Sequence, residues 1–220
     1  MFSIDGLEIP ETNTDITEYK NTNWKEMNIR DWLQFAKANK SFGEPGISYD
    51  ELKALHEGCE LAGRKGLRIV ETGMCYGTTT RYFTIRVLKY GGELHSFEVN
   101  VREGFKKSME ELGLWSVVHY HNHSIKSPWD KSINLLFIDS EHALSDALGE
   151  YVRFRPWMEP GCIIGFHDSD SCPGVVKAIE MVQEMDELEL VSESSGLMGR
   201  GLKMFRRVTA NRTDRPWNGR

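Results

Sequence analysis

The chain has 220 residues, of which 40% are hydrophobic and 27% charged, and these proportions suit one α/β domain with a sizeable core. Its formal net charge of -6 and the lack of a long Lys/Arg run disfavour nucleic acid and anionic lipid as partners, so we expect a small-molecule substrate. The acidic start does not resemble a signal peptide and no stretch approaches the roughly 20 apolar residues of a bilayer span, which predicts a cytoplasmic protein without membrane contact.

The first 47 residues are predicted to form an irregular arm and a cover helix. Residues 1–23 are polar without a sustained period, whereas the apolar positions of residues 24–40 form a rough helical stripe. Ser48 and Glu51 match a capping box, so a second helix is expected to begin there and run to Gly63. We therefore expect the main domain to span residues 48–208.

Short apolar runs alternate with helical patterns through the middle of the chain. The strand candidates are residues 67–72, 93–98, 117–121, 133–139 and 162–167, and the helix candidates between them are residues 79–89, 102–112 and 144–154. Such alternation predicts an α/β fold with a Rossmann-like, seven-stranded, mostly parallel sheet and helices on both faces.

The final third of the sequence departs from simple alternation. A helix over residues 174–185 is followed by strand candidates at residues 188–192 and 202–207, which flank a glycine-rich turn. This order predicts a terminal antiparallel hairpin at the end of the sheet. Residues 209–220 are predicted to be a polar tail.

Two predicted strands end in residues suited to a nucleotide-like ligand, because ligands of open α/β sheets bind at the carboxyl ends of the strands. After Glu71, Gly73 and Gly77 allow a tight turn close to a ligand. The pattern is not the G-x-G-x-x-G of dinucleotide binders, which disfavours a nicotinamide-dependent oxidoreductase. Glu98 is placed to accept hydrogen bonds from both hydroxyls of a ribose. A glycine turn and an exposed carboxylate without any ligand are the structural alternatives.

Four segments together resemble a known family: E-T-G-M-C-Y-G, S-F-E, L-L-F-I-D-S-E-H and P-G-C-I-I-G-F-H-D. In this order they resemble the class I S-adenosylmethionine-dependent methyltransferases over residues 48–207. Within that class the chain is similar to the small O-methyltransferase-like group, which includes sugar and macrolide methyltransferases and cephalosporin hydroxylase-associated proteins. The resemblance implies transfer of a methyl group from S-adenosylmethionine to a hydroxyl oxygen of a small molecule, with metal assistance.

The resemblance also implies which residues contact the cofactor. Those around the amino acid part of S-adenosylmethionine would be Glu71, Gly73 and Gly77. Glu98 would hold the ribose, Val99 would pack on the adenine, and Ser124 would contact the adenine edge. A plain turn serine is the alternative for Ser124.

A divalent metal, Mg²⁺ or Mn²⁺, is implied at Asp139, His167 and Asp168. Where related enzymes have an Asp-Asn pair this chain has His167 and Asp168, and imidazole suits Mn²⁺, Fe²⁺ or Zn²⁺ at least as well as Mg²⁺. His142 is the candidate general base, with Asp139 beside it at the catalytic centre. A solvent-facing or helix-capping histidine is the alternative for His142.

Other functions remain open at this stage. Some relatives with a similar pattern are described as hydroxylases or accessory proteins, and a non-catalytic binding module could keep the same fold. The four acids at predicted strand ends speak against such a module, because a scaffold has no need of them; they are Glu71, Glu98, Asp139 and Asp168. A homodimer is compatible with an α/β enzyme of this size.

Overall fold

The computed structural model describes residues 3–4, 7–8, 19–38, 47–124, 126–195 and 200–209. Two short strands, β1 (Ser3–Ile4) and β2 (Leu7–Glu8), pair with each other. The main sheet consists of β3 (Arg68–Thr72), β4 (Glu93–Phe97), β5 (Val118–His121), β6 (Ile133–Ile138), β7 (Met158–His167), β8 (Leu188–Ser194) and β9 (Leu202–Arg207). The helices are α1 (Ile29–Ala38), α2 (Tyr49–Ala62), α3 (Thr78–Tyr90), α4 (Glu103–Glu111), α5 (Leu144–Phe154) and α6 (Pro173–Met185).

The seven strands of the main sheet lie in the order β5-β4-β3-β6-β7-β9-β8. Neighbours from β5 to β7 are parallel, and β9 is antiparallel to both β7 and β8. The predicted Rossmann-like sheet and its hairpin are confirmed. The antiparallel strand lies inside the sheet, however, because β9 carries buried apolar side chains on Leu202, Met204 and Phe205, whereas no residue of β8 is buried. The more apolar strand thus takes the position with two neighbours.

The central strand β6 shows how the core is divided between the two faces of the sheet. All of its residues are buried, as expected for a parallel strand covered on both faces. Leu135 and Phe137 pack in the cluster that includes residues of α2 and α3, whereas Leu136 and Ile138 pack in the cluster with α5 and α6. Both faces hold β6 in place, so its carboxyl end is a rigid position for the next residues of the chain.

The second helix before the sheet begins where the sequence predicts. The capping box of α2 is present, since Ser48 N–H donates to Glu51 Oε2 at 2.7 Å and Glu51 N–H donates to Ser48 Oγ at 3.3 Å. The predicted stripe over residues 24–40 divides into one 3₁₀ turn, Trp24–Glu26, and α1. Trp32 of α1 is 1% exposed and packs edge-on against Tyr82 of α3, with ring centroids 5.1 Å apart. The predicted cover helix therefore packs into the core.

A buried ion-pair network joins the end of α6 to β9. The carboxylate of Asp186 accepts hydrogen bonds from Arg155 Nε at 2.7 Å, from Arg207 Nη2 at 3.0 Å and from the Tyr151 hydroxyl. Burial by itself raises the pKa of Asp186, but these donors bring it below its ordinary value. Because Arg207 is only 1% exposed, its charge depends on Asp186 for compensation.

Several predictions concern residues outside the described ranges. They are the polar tail beyond Thr209, most of the N-terminal arm and the middle of the hairpin turn at residues 196–199. Within the part of the chain that the structure does describe, no helix is long and apolar enough to cross a membrane.

Candidate functional site

A cavity of about 690 Å³ opens at the carboxyl ends of β3, β4, β6 and β7. The chain passes from β3 to β4 on one side and later returns to β6 on the other, so this edge is the topological switch point where α/β sheets bind ligands. The cavity is lined by most of the residues predicted to form a site, which are Gly73, Glu98, Val99, Ser124, Asp139, His142, His167 and Asp168.

The turn after β3 is tight because Gly73 comes very close to the neighbouring strand end. Gly73 has a φ of +86°, and a Cβ atom there would lie 2.0 Å from the carbonyl oxygen of Asp139. Gly77 also has a positive φ, +76°, and a Cβ atom there would meet the Phe105 ring at 2.0 Å. Gly73 forms part of the cavity wall, while Gly77 allows α3 to start close to α4.

Glu71 lies beneath this turn and differs from the direct ligand contact expected for it. The residue is fully buried, and its carboxylate accepts hydrogen bonds from three hydroxyls, those of Thr79 at 2.6 Å, Thr80 at 2.8 Å and Ser96 at 2.6 Å. Burial raises the pKa of Glu71 to about 7, although the hydroxyl donors oppose this rise. With its oxygens bonded inside the fold, Glu71 supports the start of α3 and is not among the described residues that line the cavity.

Glu98 joins the turn after β3 to the loop after β4. Its Oε2 atom accepts from the backbone N–H groups of Met74 at 3.1 Å and Cys75 at 3.3 Å, and its Oε1 atom accepts from Asn100 N–H at 3.0 Å. The next residue, Val99, lines the cavity and is 61% exposed. This part of the cavity thus offers a carboxylate beside an exposed apolar surface.

Ser124 is tied to a buried glutamate that the sequence analysis missed. Its hydroxyl donates to Glu150 Oε1 at 2.5 Å, and the hydroxyls of Thr72 and Ser140 donate to the same carboxylate at 2.7 and 2.8 Å. Burial raises the pKa of Glu150, and the three hydroxyl donors oppose this. Ser124 therefore lies at the cavity wall in a position fixed by α5.

The opposite part of the cavity brings the predicted metal ligands together. His167 Nδ1 lies 2.9 Å from Asp139 Oδ1 and 3.1 Å from Asp168 Oδ2, and the three donor atoms are within 4.8 Å of one another. Burial alone would lower the pKa of His167, but the surrounding carboxylates raise it well above its ordinary value. Asp168 has a φ of +54°, an uncommon backbone conformation for a residue with a side chain, and the turn there directs its carboxylate back towards His167.

His142 approaches the same cluster from the loop after β6. Its Nε2 atom lies 3.0 Å from Asp168 Oδ2, and its side chain is 46% exposed. This hydrogen bond raises the pKa of His142, while partial burial opposes the rise. Cys172 brings a thiol near the same two side chains, with all three donor atoms within 4.8 Å.

Glu51 is a further member of the cluster that the sequence did not reveal. It is 2% exposed, and its Oε1 atom lies 3.5 Å from His167 Nε2. The sequence pattern showed only its role in the capping box of α2. Its closeness to His167 depends on how α2 packs across β7 and β9, for which sequence spacing gives no signal. The residues that line the cavity itself and were not predicted include Asn100, Arg102, Glu141, Asp146 and Arg200.

The alternating histidines of β5 form a separate group. His119 and His121 both stack on His95 of β4, with ring centroids 4.7 and 5.3 Å apart, and Trp129 packs edge-on against His95. Burial lowers the pKa of His95 to about 4, although Glu93 opposes this. These rings thus pack against one another at the β5 edge of the sheet.

The strand order and the site at the switch point define the fold as that of the class I, Rossmann-like methyltransferases. Residues 70–169 match a family model described as a methyltransferase domain. This match agrees with the methyltransferase resemblance that the sequence motifs indicated. A search of curated proteins gives no match.

Solved structures with the same fold are distant in sequence. The O-methyltransferase TomG from Streptomyces achromogenes, solved in complex with SAM, is 15% identical, with 83% of this chain and 92% of that chain covered and a TM-score of 0.59. The O-methyltransferase from Bacillus cereus, in complex with SAH, is 17% identical, with 81% and 89% covered and a TM-score of 0.55. The N-methyltransferase NodS from Bradyrhizobium japonicum is 14% identical, with 72% and 94% covered and a TM-score of 0.54. Both oxygen and nitrogen methyltransferases thus share this fold.

Proposed function

We propose that the protein is an S-adenosylmethionine-dependent methyltransferase that methylates a hydroxyl oxygen of a small molecule with the help of a divalent metal. One observation carries the proposal. A single cavity joins Gly73 and Glu98 on one side to the Asp139, His167 and Asp168 cluster on the other. The first group suits a nucleoside ligand, and the second suits an acceptor oxygen next to it.

The charge of the cavity supports a cationic cofactor. Its lining includes the carboxylates of Glu98, Asp139, Glu141, Asp146, Glu150 and Asp168, against the guanidinium groups of Arg102 and Arg200. An acidic wall favours the positive sulfonium of S-adenosylmethionine over an anionic pyrophosphate. In this proposal Glu98 accepts hydrogen bonds from the ribose hydroxyls, Val99 packs on the adenine, and Ser124 lies at its edge.

The donor atoms of Asp139, His167 and Asp168 fit a divalent cation. They converge from the ends of two adjacent strands and comprise one imidazole nitrogen and two carboxylates, a set that suits Mn²⁺ or Mg²⁺. When bound, such a cation lowers the pKa of an acceptor hydroxyl. An ion-pair cluster without metal is the alternative explanation, since His167 is also compensated by the carboxylates alone.

His142 is the proposed general base. Its exposed ring lines the cavity. Nε2 donates to Asp168, which leaves Nδ1 to take up a proton and favours the protonated imidazole that results. The methyl group itself needs no further catalytic group. Most of the rate gain would come from holding the sulfonium methyl in line with the acceptor oxygen.

Calorimetric titration with S-adenosylmethionine and S-adenosylhomocysteine tests the cofactor part. We expect micromolar binding that is lost in Glu98→Ala and retained in Glu111→Ala, which removes an exposed carboxylate of α4 outside the cavity. Absence of binding to the wild-type chain, with or without Mg²⁺ or Mn²⁺, would overturn the proposal and favour a non-catalytic module.

Transfer of labelled methyl groups to a panel of small phenols, sugars and amines tests the acceptor part. We expect labelling of hydroxyl compounds that is abolished by a chelator and restored by Mn²⁺. Labelling of amines alone, or labelling that is insensitive to the chelator, would contradict metal-assisted O-methylation.

A further inference from the structure

Two buried polar atoms face each other beside the cluster of Asp139, His167 and Asp168. Neither has a hydrogen-bond partner in the described part of the chain. They are Oε1 of Glu51 and Nε2 of His167, which lie 3.5 Å apart. Glu51 is 2% exposed and His167 5% exposed, so water cannot readily satisfy either atom. The other carboxylate oxygen of Glu51 already accepts the N–H of Ser48. One oxygen therefore remains for the imidazole.

The two nitrogens of the His167 ring face different groups. Nδ1 is the atom near Asp139 and Asp168, at 2.9 and 3.1 Å, whereas Nε2 is the atom near Glu51. The nitrogens of an imidazole point in divergent directions, so a cation held by Nδ1, Asp139 and Asp168 lies away from Glu51. Glu51 is thus not a ligand of that cation but a partner of the ring on its other side.

We propose that Glu51 is a positioning residue for the predicted metal ligands Asp139, His167 and Asp168. It accepts the Nε2 proton of His167 and so fixes the ring orientation and the tautomer that leave Nδ1 available to a divalent cation. The inference rests on the proposed function, because the cation belongs to that proposal. A ligating histidine that donates its second ring N–H to a carboxylate is held more firmly and is a stronger ligand.

The capping box gives Glu51 its fixed position. Glu51 is in the first turn of α2, and its contacts with Ser48 hold the backbone and one carboxylate oxygen in place. A cap at a helix terminus works equally well in water, so capping alone does not require a glutamate that is 2% exposed. The burial of Glu51 against His167 is explained when the same carboxylate has both roles.

Titration of Mn²⁺ into the full chain, followed by the electron paramagnetic resonance of free Mn²⁺ and without cofactor or acceptor, tests the inference. Glu51→Leu keeps the approximate volume and removes the proton acceptor, and we expect it to weaken Mn²⁺ binding about 10- to 100-fold. Ser48→Ala is the matched control, because it removes the capping hydroxyl and leaves the carboxylate beside His167. It should lower Tm and leave Mn²⁺ affinity unchanged.

A folded Glu51→Leu protein that binds Mn²⁺ like the wild type would overturn the inference. Equal weakening by Ser48→Ala would also overturn it, since the effect would then come from the helix. If Glu51→Leu does not fold, Glu51→Gln takes its place. The N–H of Ser48 holds the glutamine carbonyl, so its amide group faces Nε2 as a donor, and the same loss of affinity is expected.

The nitrogen shifts of the His167 ring separate this inference from the proposed function. In ¹⁵N-histidine-labelled wild-type protein without metal, the Nε2 resonance of His167 should be that of a protonated nitrogen that donates to a carboxylate. Glu51→Leu should shift this Nε2 resonance and leave the Nδ1 resonance beside Asp139 and Asp168 largely unchanged. If the two proteins differ in this way but the wild type does not bind Mn²⁺, the metal part of the proposed function fails while the contact between Glu51 and His167 is supported. Identical ring signals in the two proteins would overturn that role.

Discussion

The Nε2 atom of His142 lies 3.0 Å from the Oδ2 atom of Asp168, and this contact joins the loop after β6 to the end of β7. The neighbouring strand ends are held by the buried sheet, whereas the His142 side chain is 46% exposed. An exposed histidine is therefore oriented by a largely buried carboxylate. This arrangement suits a group that takes up a proton and releases it to solvent.

The first prediction concerns the titration of His142. Its hydrogen bond to Asp168 raises its pKa above the ordinary value of 6.5, so the ring stays protonated to a higher pH. Nuclear magnetic resonance of the ring proton against pH should give a midpoint above 6.5, and Asp168→Asn should lower that midpoint. His95, whose pKa burial lowers to about 4, is an internal contrast in the same spectra. A His142 midpoint that is unchanged in Asp168→Asn would contradict the prediction.

The second prediction compares two glycines with similar backbone angles. Gly66 has a φ of +77° and open space where a Cβ would be. Gly66→Ala should therefore lower the free energy of unfolding by only about 1–2 kcal/mol, because the alanine is held in a left-handed conformation. Gly73→Ala adds a backbone clash with Asp139 and should cost more. Urea unfolding measures both, and calorimetry should show cofactor binding lost in Gly73→Ala alone. Equal effects of the two variants would refute the close approach at Gly73.

The third prediction concerns the buried network around Asp186. Asp186→Asn removes the buried carboxylate that accepts from Arg155 and Arg207 and should reduce the free energy of unfolding by about 3–5 kcal/mol. The exposed pair of Arg206 and Glu189 is the matched control, and Glu189→Gln should cost less than about 1 kcal/mol. Urea unfolding distinguishes the two. A loss in Asp186→Asn no larger than in Glu189→Gln would show that the network contributes little.

The same network also predicts how the free energy of unfolding changes at acid pH. The folded-state pKa of Asp186 lies below its ordinary value of 3.8, so its stabilising contribution is complete above that pH and is lost as pH falls further. Asp186→Asn should therefore unfold with less dependence on pH in the acid range than the wild type. If Asp186→Asn keeps the full acid dependence of the wild type, other carboxylates are its cause.

The fourth prediction concerns Glu71, whose shift has the opposite sign. Its pKa rises from 4.5 in the unfolded chain to about 7 in the fold, so ionisation opposes folding and stability falls as pH rises between these values. Each pKa unit corresponds to about 1.4 kcal/mol, which gives a total effect of about 3 kcal/mol. Urea unfolding of the wild type and of Glu71→Gln across this pH range tests the prediction. The free energy of unfolding of the wild type should fall relative to that of the variant as pH rises. Parallel curves would mean that Glu71 keeps its ordinary pKa.

Much of the fold followed from local sequence signals. The apolar runs and the helical patterns gave the strands and helices of the sheet to within a few residues, because each pattern reflects burial on one or both faces. The position of β9 inside the sheet did not follow, since a hairpin pattern does not tell which of its strands pairs with β7. That choice depends on the apolar side chains of β9, compared with the exposed ones of β8.

The candidate site was predictable where it lies at strand ends. Asp139, His167 and Glu98 each follow or end a predicted strand, and parallel strands bring such residues to one edge of the sheet. Glu51 and Glu150 could not be predicted in the same way, because both lie on helices and reach the site only through packing. Glu71 also lies near the end of a predicted strand, but its carboxylate accepts hydrogen bonds from neighbouring hydroxyls and it is not among the described residues that line the cavity.

The place of β9 between β7 and β8 has a consequence for synthesis on the ribosome. β9 is the last described strand in sequence, yet it pairs with β7 and β8, which are made before it. Until β9 emerges, the buried strand β7 has one open edge and β8 has no neighbour, and unpaired edges of this kind are prone to aggregation. The nascent chain therefore depends on β9 to pair these two strands.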